Sequence, residues 1–102
     1  MVENPGSLRV LSYLQTCVAV PSQWEGTLED GRMFYVRFRN GRLRVSVSPA
    51  PTMDVMEAVR GAALLEQLVD GPDDGFMEED EMLEMTASVL AFSGSTRLQS
   101  DD

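Results

Sequence analysis

The chain has no histidine and no lysine, and a single cysteine, Cys17. Without His or Lys, the usual proton shuttles and Schiff-base amines are missing. Cys17 has no basic sequence neighbour to lower its pKa, and neither a Gly-rich phosphate loop nor a Ser-centred nucleophile elbow is present. The carboxylates are plentiful but cluster where nothing raises a pKa towards neutrality. The inventory therefore points away from an enzyme. One cysteine permits no intrachain disulfide, which favours a reducing compartment. The amino-terminal stretch lacks the basic start and clean apolar core of a signal peptide. No apolar run approaches the roughly 18 residues of a spanning helix. The expectation is a cytoplasmic protein without a membrane partner.

What is present is a globular balance: 43% apolar and 25% charged residues over 102 positions, enough for one core without a metal or disulfide. The net charge of −9 is unevenly spread. Residues 1–53 carry six Arg against four acids, and residues 54–102 carry two Arg against thirteen. Such an acidic second half repels nucleic acid and anionic lipid. Every basic residue is Arg, which suits a GC-rich coding genome.

Residues 23–48 hold three strand-like runs separated by Asp30-Gly31 and Asn40-Gly41, dipeptides that supply the positive φ of tight hairpins. A two-residue turn at Asn40-Gly41 pairs Phe38 with Leu43, Val36 with Val45 and Phe34 with Val47, one continuous apolar face. At the first hairpin a two-residue loop would turn Glu25 inward. A three-residue loop over Asp30–Arg32 instead pairs Leu28 with Phe34, Trp24 with Phe38 and Glu25 with Arg37. Trp24 reads as a core residue.

The flanks read as helical. Residues 8–16 fit either a short helix after Ser7 or a strand, with the helix favoured by the start signals Asn4, Pro5 and Ser7. After Pro49 and Pro51, Asp54 and Glu57 have capping-box spacing, and a helix is expected over about 54–69. Its second half, around Leu64 and Leu68, is apolar on two sides, which leaves a homodimer as open as a monomer. A second helix is expected over about 79–92, its first turn crowded with the acids that the helix dipole prefers. The expected class is α+β: a three-stranded antiparallel meander (about 23–48) packed on two C-terminal helices, with an N-terminal short helix or strand. Residues 1–94 form the single domain, and residues 95–102 read as a flexible tail.

Pro21-Ser22-Gln23-Trp24, Asp30-Gly31, and Tyr35-Val36-Arg37-Phe38-Arg39 with Gly41 resemble a pattern found in a group of small uncharacterised proteins of actinobacteria and their phages. Phe38 stands where the group often has Tyr. The likeness covers residues 21–44 and, more loosely, 70–86. It implies a phage or mobile-element origin and brings no activity with it.

Two candidate sites follow. The outward face of the meander carries Tyr35, Arg37, Arg39, Arg42 and Arg44, with Arg37 opposite Arg44 and Arg39 opposite Arg42. Like charges directly opposed destabilise a ladder, while guanidinium forks grip carboxylates bidentately. This face is the expected partner-binding surface, for another protein rather than nucleic acid. The plain alternative is a patch neutralised by Glu25 and Glu29 on the neighbouring strand, or by the acidic 70–84 segment folding near it.

The second candidate is "VDGPDDGFMEEDEML", residues 69–83. It offers Asp70, Asp74, Glu78 and Glu81 at the first, fifth, ninth and twelfth places of an EF-hand loop, with Gly75 at the sixth. Pro72 stands at the third place, where a ligand oxygen is required. A calcium-stabilised helix-loop-helix is one reading, with no other cofactor implied. A solvated loop whose acids cap the last helix is the other. A third reading, an acidic nucleic-acid mimic inhibiting a DNA-handling protein, needs carboxylates in roughly phosphate spacing on a rigid helix.

Overall fold

The computed structural model describes residues 7–18, 21–69 and 76–98. Among these residues the chain runs β1 (Leu8–Cys17), β2 (Ser22–Leu28), β3 (Met33–Arg39), β4 (Arg42–Val47), α1 (Val55–Val59), β5 (Ala62–Leu68), α2 (Glu79–Met85), β6 (Leu90–Ala91) and β7 (Thr96–Arg97). The strands form one mixed sheet in the order β5-β4-β3-β2-β1-β6, with β7 also pairing β1. β1 to β5 are consecutive antiparallel neighbours, and β6 and β7 run parallel to β1. This overturns the expected α+β layout. The three central strands exist, but as the middle of a seven-stranded sheet, and both helices are short. Neither helix is long and apolar enough to cross a membrane.

Turn chemistry sets the centre. Asn40 and Gly41 adopt φ of +54° and +70°, the two positive angles of a type I′ turn. β3 and β4 then pair Phe34 with Val47, Val36 with Val45 and Phe38 with Leu43. The β2–β3 loop does have three residues, but they are Glu29–Gly31 rather than Asp30–Arg32. Leu28 N–H donates to the Arg32 carbonyl at 2.8 Å and Gly31, at φ +92°, closes the loop. The register moves by two residues, so Trp24 faces Val36 and Glu25 faces Tyr35 instead of Arg37. A two-residue shift preserves the faces, and Trp24, Leu28, Phe34, Val36 and Phe38 are all buried on one side.

Residues 54–69 are not one helix. Asp54 caps α1 by accepting from Met56 N–H at 3.0 Å, and the helix ends at Arg60 after five residues. Gly61 then passes so close to β4 that a Cβ would overlap the Val47 carbonyl. The chain beyond it pairs with β4, Leu65 opposite Val45 and Leu68 opposite Arg42. Ala, Leu, Glu and Gln favour a helix by only tenths of a kcal/mol each, roughly. A free edge beside buried Leu43 and Val45 outweighs that preference.

The second expected helix is also shorter. Thr86 Oγ1 donates to the Met82 carbonyl at 2.8 Å, the helix stops at Met85, and Leu90 and Ala91 pair with Leu8 and Arg9. Residues 8–16 are accordingly strand, not helix. Within the stretch read as a tail, Thr96 and Arg97 pair with Ser12 and Tyr13.

The core lies on one side of the sheet. Met77, Met82 and Leu90 are buried in one cluster with Trp24, Phe34, Leu43 and Val45, and Leu83 and Phe92 pack at its margin. Each large apolar side chain so buried contributes about 1.5–3 kcal/mol. Phe92 meets the rings of Tyr13 and Phe34 edge-on, with centroids 4.9 and 5.9 Å apart. Strand alternation sends the intervening residues of β2, β3 and β4 to the opposite face of the sheet.

Candidate docking face

That opposite face presents the arginines. Arg37 stands against Arg44 and Arg39 against Arg42 in the β3–β4 ladder, the arrangement expected of a turn at Asn40-Gly41. Tyr35 faces Ser46 in the same ladder and Glu25 on β2. Four guanidinium groups and a phenol thus lie over two adjacent strands.

Their compensation is uneven. On β5, Glu66 sits opposite Arg44, and its carboxylate lies 3.8 Å from both Arg42 and Arg44. Such long, half-exposed pairs contribute about 0–1 kcal/mol. Arg44 also donates to the Gly61 carbonyl at 3.4 Å. Among the described residues, Arg37 and Arg39 make no ion pair and no side-chain hydrogen bond.

Neutralisation from β2, one form of the plain alternative, does not occur there. Glu29 lies 3.5 Å from Arg9. Glu25 is half-buried, and burial pushes its carboxyl above the usual carboxylate range. Tyr35 is likewise raised, chiefly by burial, against the lowering effect of Arg37. The face can therefore offer two uncommitted guanidinium forks beside a partly buried phenol, a set suited to carboxylates or aromatic rims.

The acidic candidate fares differently. Asp70 and Asp74 lie outside the described residues. Glu78 precedes α2 as its N-cap without a side-chain capping bond, and Glu78 and Glu81 are both exposed. Among the described residues, no group of three or more potential ligands is placed to hold a metal ion. The segment before the loop is strand β5 rather than the entering helix of an EF-hand, so the helix-loop-helix premise fails. α2 spans only seven residues, about two turns, and one of its four acids is committed inside the protein, which leaves a short carboxylate row for a nucleic-acid mimic.

That acid is Glu79, which sequence reasoning missed. Its carboxylate accepts from Tyr13 O–H at 3.1 Å and from Trp24 Nε1–H at 3.2 Å. It also takes Arg97 Nε at 3.0 and 2.9 Å, and Arg97 Nη2 at 2.8 Å. The Arg97 hydrogen bonds, above all, hold this carboxyl below the usual range, and Tyr13 and Trp24 assist against the opposing effect of partial burial. Trp24 is fully buried and Tyr13 nearly so. The cluster pins α2 to β1, β2 and β7 at once. Its one legible signal was that a buried indole and phenol both need hydrogen-bond partners.

The chain matches no family model, no curated protein and no solved structure.

Proposed function

We propose that the chain is a small non-enzymatic docking protein that binds an acidic patch on another protein through Tyr35, Arg37, Arg39, Arg42 and Arg44. The observation that carries this reading is the two opposed arginine pairs on the outward face, where among the described residues Glu66 alone forms ion pairs, and only with Arg42 and Arg44. A purely structural ladder gains nothing from this arrangement, since opposed like charges each cost a few tenths of a kcal/mol, up to about 1. A partner's carboxylates would remove that cost and accept bidentate bonds. The net charge of −9 disfavours nucleic acid as the ligand. A phage or mobile-element product acting as an inhibitor on a host protein is the concrete form of this reading, supported by the sequence pattern at residues 21–44.

The test is capture of a host protein by the immobilised chain over a range of salt. Wild-type capture should weaken as salt rises, because exposed charges are screened over about 10 Å at 0.1 M. The variant combining Arg37→Glu and Arg39→Glu should lose it with its fold intact. Capture unchanged by that variant, or binding to duplex DNA instead, refutes the reading.

A further inference from the structure

The two lateral edges of the sheet are finished differently. At one edge β1 is covered by β6 and β7, strands of two residues each. Very short edge strands are a common protection against pairing with another chain. At the other edge β5 is seven residues long, contains no proline, and carries Glu66 as its one charge. Leu68 near its end is 71% exposed.

Hydrogen-bond alternation shows which groups this edge offers. Val69 N–H donates to the Gly41 carbonyl at 2.8 Å, and Leu68 stands opposite Arg42. In an antiparallel ladder, Gln67 and Val69 therefore turn their backbone groups towards β4, and Glu66 and Leu68 turn theirs away. Among the described residues, nothing bonds the N–H and C=O groups of Glu66 and Leu68.

We infer that β5 is the pairing edge for a second copy of this chain, the two β5 strands running antiparallel about a two-fold axis normal to the sheet. Directly facing residues must share a side, so the axis passes midway between one residue and the same residue of the second copy. Centring on Glu66 sets two like charges face to face. Centring on Leu65 runs the pairing into the bulge that lies between the pairs Leu65–Val45 and Ala63–Ser46. Centring on Gln67 avoids both. Glu66 then exchanges both backbone hydrogen bonds with Leu68 of the second copy, and Leu68 with Glu66 of the second copy.

Charge complementarity selects the same register. The Arg42 side chain is 59% exposed and only loosely held by its own Glu66 at 3.8 Å. It flanks Leu68, so its guanidinium can cross that side chain to Glu66 of the second copy. A shallow cavity of about 180 Å³ lined by Arg42, Glu66, Gln67 and Leu68 lies at this edge and would be filled. The two-fold keeps both arginine faces on one side and makes them a single surface. Pairing along one strand buries less than the roughly 1,200 Å² of stable complexes, so the dimer is weak, forming towards high micromolar concentration.

Sedimentation equilibrium of the full chain from micromolar to millimolar tests this. A dimer mass is expected at the upper end. Leu68→Glu places a carboxylate opposite Glu66 of the second copy and should weaken association by about tenfold or more. Leu68→Pro removes an N–H that faces the edge while leaving the bonds to β4, and should do the same. Met53→Glu changes an exposed apolar residue away from the edge (99% exposed) and should leave the association constant unchanged. A chain that stays monomeric throughout overturns the inference. So does a dimer that survives both Leu68 variants with native circular dichroism, or one abolished equally by Met53→Glu.

Discussion

The sheet carries charged groups on both faces, and the two faces treat them in opposite ways. On the covered face Glu79 is surrounded by donors: a phenol, an indole and a guanidinium converge on one carboxylate and its pKa is depressed. On the open face Arg37 and Arg39 stand against other arginines, and a single carboxylate spans Arg42 and Arg44 at the limit of ion-pair distance. The first cluster holds helix and sheet together. The second contributes to the fold only through the loose Glu66 pairs and the Arg44 bond to the Gly61 carbonyl, against the cost of opposed like charges. A charged group that costs stability in the free protein is a candidate for interaction with something outside it.

The largest expected effect comes from breaking the first cluster. Glu79→Ala leaves the fully buried Trp24 N–H and the Tyr13 hydroxyl without their acceptor, at a cost of about 1–3 kcal/mol. Denaturant unfolding should show it as a lower midpoint with an unchanged slope. A pH titration sharpens the contrast. The folded pKa of Glu79 is depressed, so its contribution is complete above the unfolded pKa and is lost as pH falls through the folded value. Wild-type stability should decline on acidification below the ordinary carboxylate range, and Glu79→Ala should show a shallower decline. Arg97→Ala, which removes the partly exposed donor and leaves Tyr13 and Trp24 bonded, should cost less than Glu79→Ala, about 1 kcal/mol. The smallest effect belongs to the open face. Arg39→Glu turns an opposed like pair with Arg42 into an opposite pair, and stability should stay level or rise by about 0.2–1 kcal/mol.

The uneven legibility of the fold in the sequence has identifiable causes. The β3–β4 hairpin could be read to the residue because Asn40-Gly41 fixes the turn and alternation is unbroken on both sides. The flanking strands misled through their bulges. In β1 the register shifts between Val10 and Ser12, so Val10 and Tyr13, three apart, both turn inward. In β5 the shift between Val45 and Ser46 sets Ala62 and Leu65, again three apart, opposite Val47 and Val45. A bulged strand thus presents apolar residues at the spacing of a helix. The five residues of the arginine face were legible because they ride on the one hairpin whose register was certain. The Glu79 cluster was not, because its members are brought together from residues 13, 24, 79 and 97. Local pattern gives no reason to choose Glu79 over Glu78 or Glu81.

The central claim, that the arginine face serves binding rather than the fold, is tested most directly by one paired measurement on the variant combining Arg37→Glu and Arg39→Glu: denaturant stability together with salt-dependent capture of a host protein. Stability equal to or above wild type, with capture lost, is the predicted result. A clear loss of stability, or capture that persists unchanged, would contradict it.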